Sequence, residues 1–243
     1  MTALRKSLIF AVVLALSACT TTRQVSDSGF RPPQGSYRLL VMQPDINVGV
    51  LTAGGMVEPR EDWTEEARRN VTQSLISRQN RHGGRTKVAN SREDTGADPA
   101  LVEDLTDLHN MVGAAIILHK YSAFPLPTKR DKFDWTLGER AVEFGTTAQY
   151  DYALFLHAQD SFSSGGRVAL QVLSALGCGF GVCVMPTGGA QVAFASLVDL
   201  RSGKVVWFNT LASSVGDIRT AEGADKMVEK LLESMVAGAG TKT

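Results

Sequence analysis

The chain has 243 residues, with 25 Lys plus Arg against 25 Asp plus Glu, a formal charge of zero. That balance excludes a strongly basic nucleic-acid binder and an acidic tail protein. An apolar fraction of 44% suits a domain with a real core, and three Cys are too few for a disulfide scaffold.

The amino terminus sets the compartment. Arg5 and Lys6 form a short positive region, and Ser7 to Leu16 is an apolar run too short to span a bilayer but of signal-peptide length. It ends in Leu16-Ser17-Ala18-Cys19, which resembles the bacterial lipobox. The resemblance implies that residues 1–18 are a lipoprotein signal peptide, cut before Cys19, and that Cys19 carries a diacylglyceryl group and an amino-terminal acyl chain. Such lipidation exceeds the two-signal threshold for stable anchoring, so the membrane is the first expected partner. Thr20 stands where Asp is the usual inner-membrane retention signal of enteric bacteria. By resemblance this implies the outer membrane, with the domain facing the periplasm.

Residues 19–36 are polar, carry Gly and Pro and show no period, which reads as a flexible tether reaching roughly 50 Å when extended. Tyr37 to Gln43 is an apolar run stopped by Pro44-Asp45, a buried strand; Asn47 to Arg60 reads as loop. Asp62 and Glu65 have capping-box form ahead of an apolar stripe of Trp63, Ala67, Val71, Leu75 and Ile76, and Arg85 to Ala89 reads as a short strand. Asp98-Pro99 starts a helix running to about residue 119, and Thr136 with Glu139 marks another. Tyr150 to Ala158 is the strongest strand and is expected at the sheet centre, with Leu154 buried. Gln191 to Leu200 and Lys204 to Ala212 form a hairpin over Arg201-Ser202-Gly203, and Thr220 caps a last helix. The order predicts a single α/β (mixed α+β) domain over residues 37–237: a mixed β-sheet with a late antiparallel hairpin, helices packed against it, and a frayed tail at 238–243.

Residues 168–189 are apolar and Gly-rich. Val168, Val172, Leu173 and Leu176 make one helical stripe, expected to fold back against the sheet with Gln171 and Ser174 on the polar face. The other reading is insertion into a membrane. Cys178 and Cys183 either pair in an oxidising periplasm or stay as two thiols.

No Gly-x-Ser-x-Gly elbow, phosphate loop, His-Glu-x-x-His or Cys-x-x-Cys occurs in the sequence. The four His are scattered at 82, 109, 119 and 157, so no metal site and no cofactor are expected. Arg78, Arg81, Arg85 and Lys87 form a basic run that would suit a lipid phosphate, an acidic partner or simply solvent. Trp135, at a helix start in Phe133-Asp134-Trp135-Thr136-Leu137-Gly138, would suit an anion contact or a hydrophobic staple.

The opening β-α-β and the late strand pair Ser196 to Phe208, with Asp199, Gly203 and Trp207 in a strand–Asp–turn–strand arrangement, resemble a group of envelope lipoproteins. These are the curli-secretion pore lipoprotein, the amino-terminal domain of the Tol-system propeller protein and the penicillin-binding-protein activator lipoproteins. The resemblance implies a non-catalytic protein-binding or assembly factor with an envelope protein partner and no nucleic acid. A subunit of an oligomeric outer-membrane export pore is the alternative, and a periplasmic hydrolase built on His157 or Asp160 with Ser161 is the third.

Overall fold

The chain folds into strands β1 (Thr22–Ser26), β2 (Arg38–Val41), β3 (Asp45–Leu51), β4 (Val57–Pro59), β5 (Arg85–Val88), β6 (Tyr152–Ser163), β7 (Gln191–Asp199) and β8 (Lys204–Leu211), most of them marked by a two-residue apolar period. The helices are α1 (Glu61–Gln79), α2 (Pro99–Tyr121), α3 (Gly138–Ala148), α4 (Gly165–Cys178) and α5 (Ala221–Ala237). The structure, a computed structural model, describes residues 22–26, 37–79, 85–129, 132–178, 187–212 and 215–237.

The strands form one mixed sheet in the order β1-β8-β7-β6-β2-β5. β6 is central. β7 pairs with it antiparallel on one edge, and β2 and β3 both pair with it, parallel, on the other. β2 covers Tyr152 to Leu154 of β6 and β3 covers His157 to Ser163, so the two are one strand interrupted at Met42–Pro44. Pro44 lacks the N–H that a ladder needs. The Met42 amide still bonds the Leu154 carbonyl at 2.9 Å, and pairing resumes at Asp45.

This corrects the loop expected over 47–60. Ile46 and Val48 are fully buried in β3, and the chain returns as β4 before α1. The expected capping box is also absent: α1 begins two residues earlier, at Glu61, which puts Asp62 inside the first turn, and the Asp62 carboxylate forms a fork with Arg60 at 2.7 and 2.9 Å.

The tether is corrected in part. Thr22–Ser26 is an edge strand, antiparallel to β8 from Thr22 opposite Leu211 to Ser26 opposite Trp207. A polar stretch can do this because an edge strand needs only one row of backbone partners, and β8 supplies it. Residues 27–36, the signal segment, Cys19 and the tail 238–243 lie outside the described residues.

Helices cover both faces. Ala67, Val71 and Leu75 of α1 pack with Ala224, Met227, Val228 and Leu231 of α5 on one face of the sheet. Leu101, Leu105 and Ile116 of α2 pack with Ala141 and Phe144 of α3 on the other. The caps behave as expected at two helices: Asp98 accepts from the Ala100 amide at 2.9 Å, and Thr220 Oγ1 accepts from the Gly223 amide at 3.1 Å. Gly203 closes the β7–β8 turn at φ +69°, and a Cβ there would meet the Gly138 carbonyl at 2.3 Å, so only glycine fits. At Gly113 of α2 the ring of Phe194 comes so close that a Cβ would lie 2.1 Å from it.

The sheet has two unlike ends. At the turn end lie Arg38, Asp151, Asp199, Arg201 and Lys204, charged groups around the β7–β8 turn. At the opposite, entry end β1 begins, β3, β6 and β8 finish and β7 starts.

Candidate functional site

A polar relay crosses the core beside β6. Resumption of pairing at Asp45 puts that carboxylate directly opposite His157, whose Nδ1 donates to it at 2.8 Å. Asn110 Nδ2 donates to the same oxygen at 2.7 Å, and Asn110 Oδ1 accepts from His109 Nδ1 at 3.2 Å. His109 Nε2 then accepts from the Ser196 hydroxyl at 2.9 Å. The imidazole of His109 is 1% exposed, stacked on Phe155 at 4.8 Å and tilted against Phe194 at 5.3 Å. Burial pushes its pKa down to about 3, so it is neutral. The His157 hydrogen bond holds the Asp45 carboxyl below the usual carboxylate range, against the opposing effect of burial. Ser196 is also buried, so His109 and Ser196 hold no solvent-facing nucleophile; the relay aligns α2 on the sheet. A cleft of about 220 Å³ opens beside Asp45, and its two arginines are engaged, Arg68 with Glu65 and Arg92 with Glu103 at 3.2 Å.

The hydrolase reading needed His157 or Asp160 beside Ser161 in a pocket. Asp160 and Ser161 do line a cleft of about 440 Å³ at the entry end, with Asn47, Thr64 and Gln159. Ser161 Oγ, however, donates to the Ala190 carbonyl at 3.2 Å and accepts from the Ala190 amide at 3.0 Å, which splices the chain onto β6. His157 and Asp160 are three apart on one strand and face opposite sides of the sheet. No nucleophile–base pair forms among these three residues.

Asp160 is buried and accepts from Gln191 Nε2 at 2.8 Å. Burial is the main cause that pushes its carboxyl up to about 6. A raised folded pKa means the native state holds its proton more tightly than the unfolded chain. Stability from this group is therefore greatest below about pH 4 and falls as pH rises through 6. Asp160→Asn should flatten that fall and stabilise the protein near neutrality by up to about 3 kcal/mol, read as urea midpoints across the pH range. An unchanged pH slope would refute it.

Of the basic run, Arg78 and Lys87 do not converge. Arg78 is drawn to α5, pairing with Asp225 at 2.6 Å and Glu229 at 3.8 Å; Arg81 lies outside the described residues. Arg85 opens β5, and Lys87 donates to the Asp94 carbonyl. Arg78 and Lys87 therefore turn to different neighbours, and the side chain of Arg85 lies outside the described residues. Trp135 is half-buried under Lys129 Nζ, 5.0 Å from the ring centroid, and its carbonyl accepts from the Val205 amide. It clamps the turn end of the hairpin. Cys178 ends α4, and Cys183 lies outside the described residues.

The expected burial of the α4 apolar stripe is overturned at Val168, Val172 and Leu173; the side chain of Leu176 lies outside the described residues. α4 turns its polar stripe, not its apolar one, toward the domain. Arg167 is 8% exposed and donates to the carbonyls of Thr187 at 3.0 Å and Ala53 at 3.3 Å; Gln171 and Ser174, on the same face, are half-buried. Val168, Val172 and Leu173 point outward, Leu173 at 65% exposure. The cause is local. Ser164 Oγ caps the Arg167 amide at 3.1 Å, and the buried guanidinium finds its acceptors only on the β3–β4 loop and Thr187, which fixes the helix rotation.

Met56 and Val57 at the tip of the β3–β4 hairpin are also exposed, Met56 at 72%. Leu118 and Phe124 lie at the end of α2, held near β1 by Tyr121 and Arg23, where the Arg23 guanidinium donates to the Tyr121 carbonyl at 3.0 Å. With Val192 at the start of β7, the entry end carries nearly all of the exposed large apolar side chains among the described residues; Met111 is elsewhere.

Fold and site together define a three-layer α/β domain whose exposed large apolar side chains gather at the entry end, beside charged groups such as Glu58 and the Arg219–Asp217 pair, with a cluster of charges at the turn end. No family model matches the chain, and no curated protein matches it. Among solved structures the chain is similar to a PelC dodecamer from Paraburkholderia phytofirmans, at 12% identity and TM-score 0.39, covering 92% of this chain and 99% of that one. It is also similar to the LpoB C-terminal domain from Salmonella enterica, at 12% identity and TM-score 0.28, covering 83% and 90%. These are distant likenesses. No helix among the described residues is long and apolar enough to cross a membrane.

Proposed function

We propose that the protein is a non-catalytic, lipid-anchored factor of the bacterial envelope, held at the outer membrane and acting by contact with an envelope protein. The observation that carries this reading is the position of β1. Cys19 precedes Thr22 by three residues, and three extended residues reach only about 11 Å. Lipid on Cys19 therefore holds the entry end of the sheet against the membrane and turns the charged end, with Arg38, Asp151, Arg201 and Lys204, toward the periplasm and a partner. The candidate acid–base and nucleophilic side chains already described are bonded to one another or to backbone, which favours a binding role over catalysis.

A second reading, a subunit of an oligomeric export pore, is favoured by the outward apolar face of α4, which a neighbouring copy would cover. Mass analysis of the full chain purified from its own membranes tests the anchor. The peptide beginning at Cys19 should carry diacylglyceryl and acyl groups, and Cys19→Ala should leave the signal segment uncleaved. An unmodified Cys19 or a retained Ala18–Cys19 junction would sink the reading. Crosslinking in native membranes followed by light scattering in detergent separates the two roles: a monomer captured with a different protein supports the binder, and a defined ring supports the pore.

A further inference from the structure

A helix on the outside of a soluble domain buries its apolar face and shows its polar one. α4 does the reverse, and between Asp160 and Asp199 the chain carries Arg167 as its single charged residue. Arg167 is turned inward, so the outer face of α4, with Val168, Val172 and Leu173, bears no charge. Met56 and Val57 are exposed on the neighbouring hairpin, ahead of exposed Glu58, and Arg167 ties that hairpin to the base of α4 through the Ala53 carbonyl. Soluble monomers rarely leave large apolar patches uncovered, and Val168, Val172 and Leu173 are all exposed on this one uncharged helix face.

The run of the chain says what covers that face. β1 is antiparallel to β8, and β8 ends where β7 begins and toward where β6 finishes, so the chain ahead of Thr22 leaves the sheet at the end from which α4 springs. We infer that the outer face of α4, together with the β3–β4 tip, lies in the surface of the lipid leaflet into which the chains on Cys19 insert. This inference rests on the anchored reading above.

Fourteen residues make a helix about 21 Å long, too short to span a bilayer and suited to lying in its interface. The anchor raises the local concentration of lipid at the helix, and the helix fixes how the anchored domain is oriented. The two attachments hold the domain flush, with its charged end outward, where a lipid on a free tether would let it tumble.

The test uses the full chain in vesicles of phosphatidylethanolamine and phosphatidylglycerol doped with a phospholipid bearing a photoactivatable diazirine in its acyl chain. After illumination and digestion, adducts are expected on the peptides covering residues 165–178 and 53–60, and none on the β7–β8 turn. Leu173→Asp, at an exposed site that leaves the core intact, should abolish the adduct on 165–178. An unlabelled α4 overturns the inference, and so does an α4 whose adducts join it to a second copy or another protein. The Cys19 peptide in the same digest reports the anchor separately: acylated Cys19 beside an unlabelled α4 removes this inference and leaves the anchor standing, while unacylated Cys19 removes the anchor on its own.

Discussion

His109→Ala should cost about 3–5 kcal/mol in urea unfolding near neutral pH, the range for deleting a large buried ring. Three losses combine. The ring leaves a cavity between Phe155 and Phe194, the Ser196 hydroxyl loses its acceptor, and the Asn110 carbonyl loses its donor. The same residue makes the native protein acid-labile. Its folded pKa of about 3 lies below the ordinary 6.5, so the unfolded chain binds the proton more tightly. The stabilising contribution is complete above about pH 6.5 and is lost as pH falls toward 3. His109→Ala should therefore destabilise at neutral pH and also flatten the acid limb between those values. A loss below about 1 kcal/mol, or an acid limb of unchanged slope, would show that the ring is not held as a neutral core group.

Leu154→Ala comes next in size, at about 2–5 kcal/mol. Leu154 is 2% exposed and stands in the central strand, opposite Val41 of β2 and Leu197 of β7. With neighbours on both edges and α1 and α5 packing the same face, the site cannot collapse to fill the void. Thermal and urea unfolding check the value. A cost under about 1 kcal/mol would mean that this face of β6 is looser than its packing indicates.

The polar features missed in the sequence share one cause. Asp45 and His157 are 112 positions apart, and only the resumption of pairing after Pro44 makes them opposite residues in adjacent strands. From sequence, Pro44-Asp45 marks the end of a strand, because proline stops a ladder; that the ladder restarts on the same partner depends on β6 already being in place. β1 is invisible for a related reason. Thr-Arg-Gln-Val-Ser has no apolar period, and its strand exists because β8 offers an unpaired edge. The hydrolase residues fail for a geometric reason that strand periodicity already contains: positions 157 and 160 differ by an odd number and face opposite sides.

The sequence by itself determined what short-range chemistry decides. The stripes of α1, α2 and α5, the Asp98-Pro99 and Thr220 caps, the Gly203 turn, the central place of β6 and the lipobox-like signal ahead of Cys19 all follow from neighbours within a few residues, where periodicity and capping act. The tertiary structure alone decided which face of α4 turns inward. Two stripes were legible there, and burial of the apolar one was the expected outcome by area. The Arg167 guanidinium, desolvated between Ala53 and Thr187, rotates the helix the other way, because an unsatisfied buried cation costs more than a few exposed methyl groups. Those acceptors come from segments far from Arg167 in the chain and become neighbours only when β3, β6 and β7 are assembled.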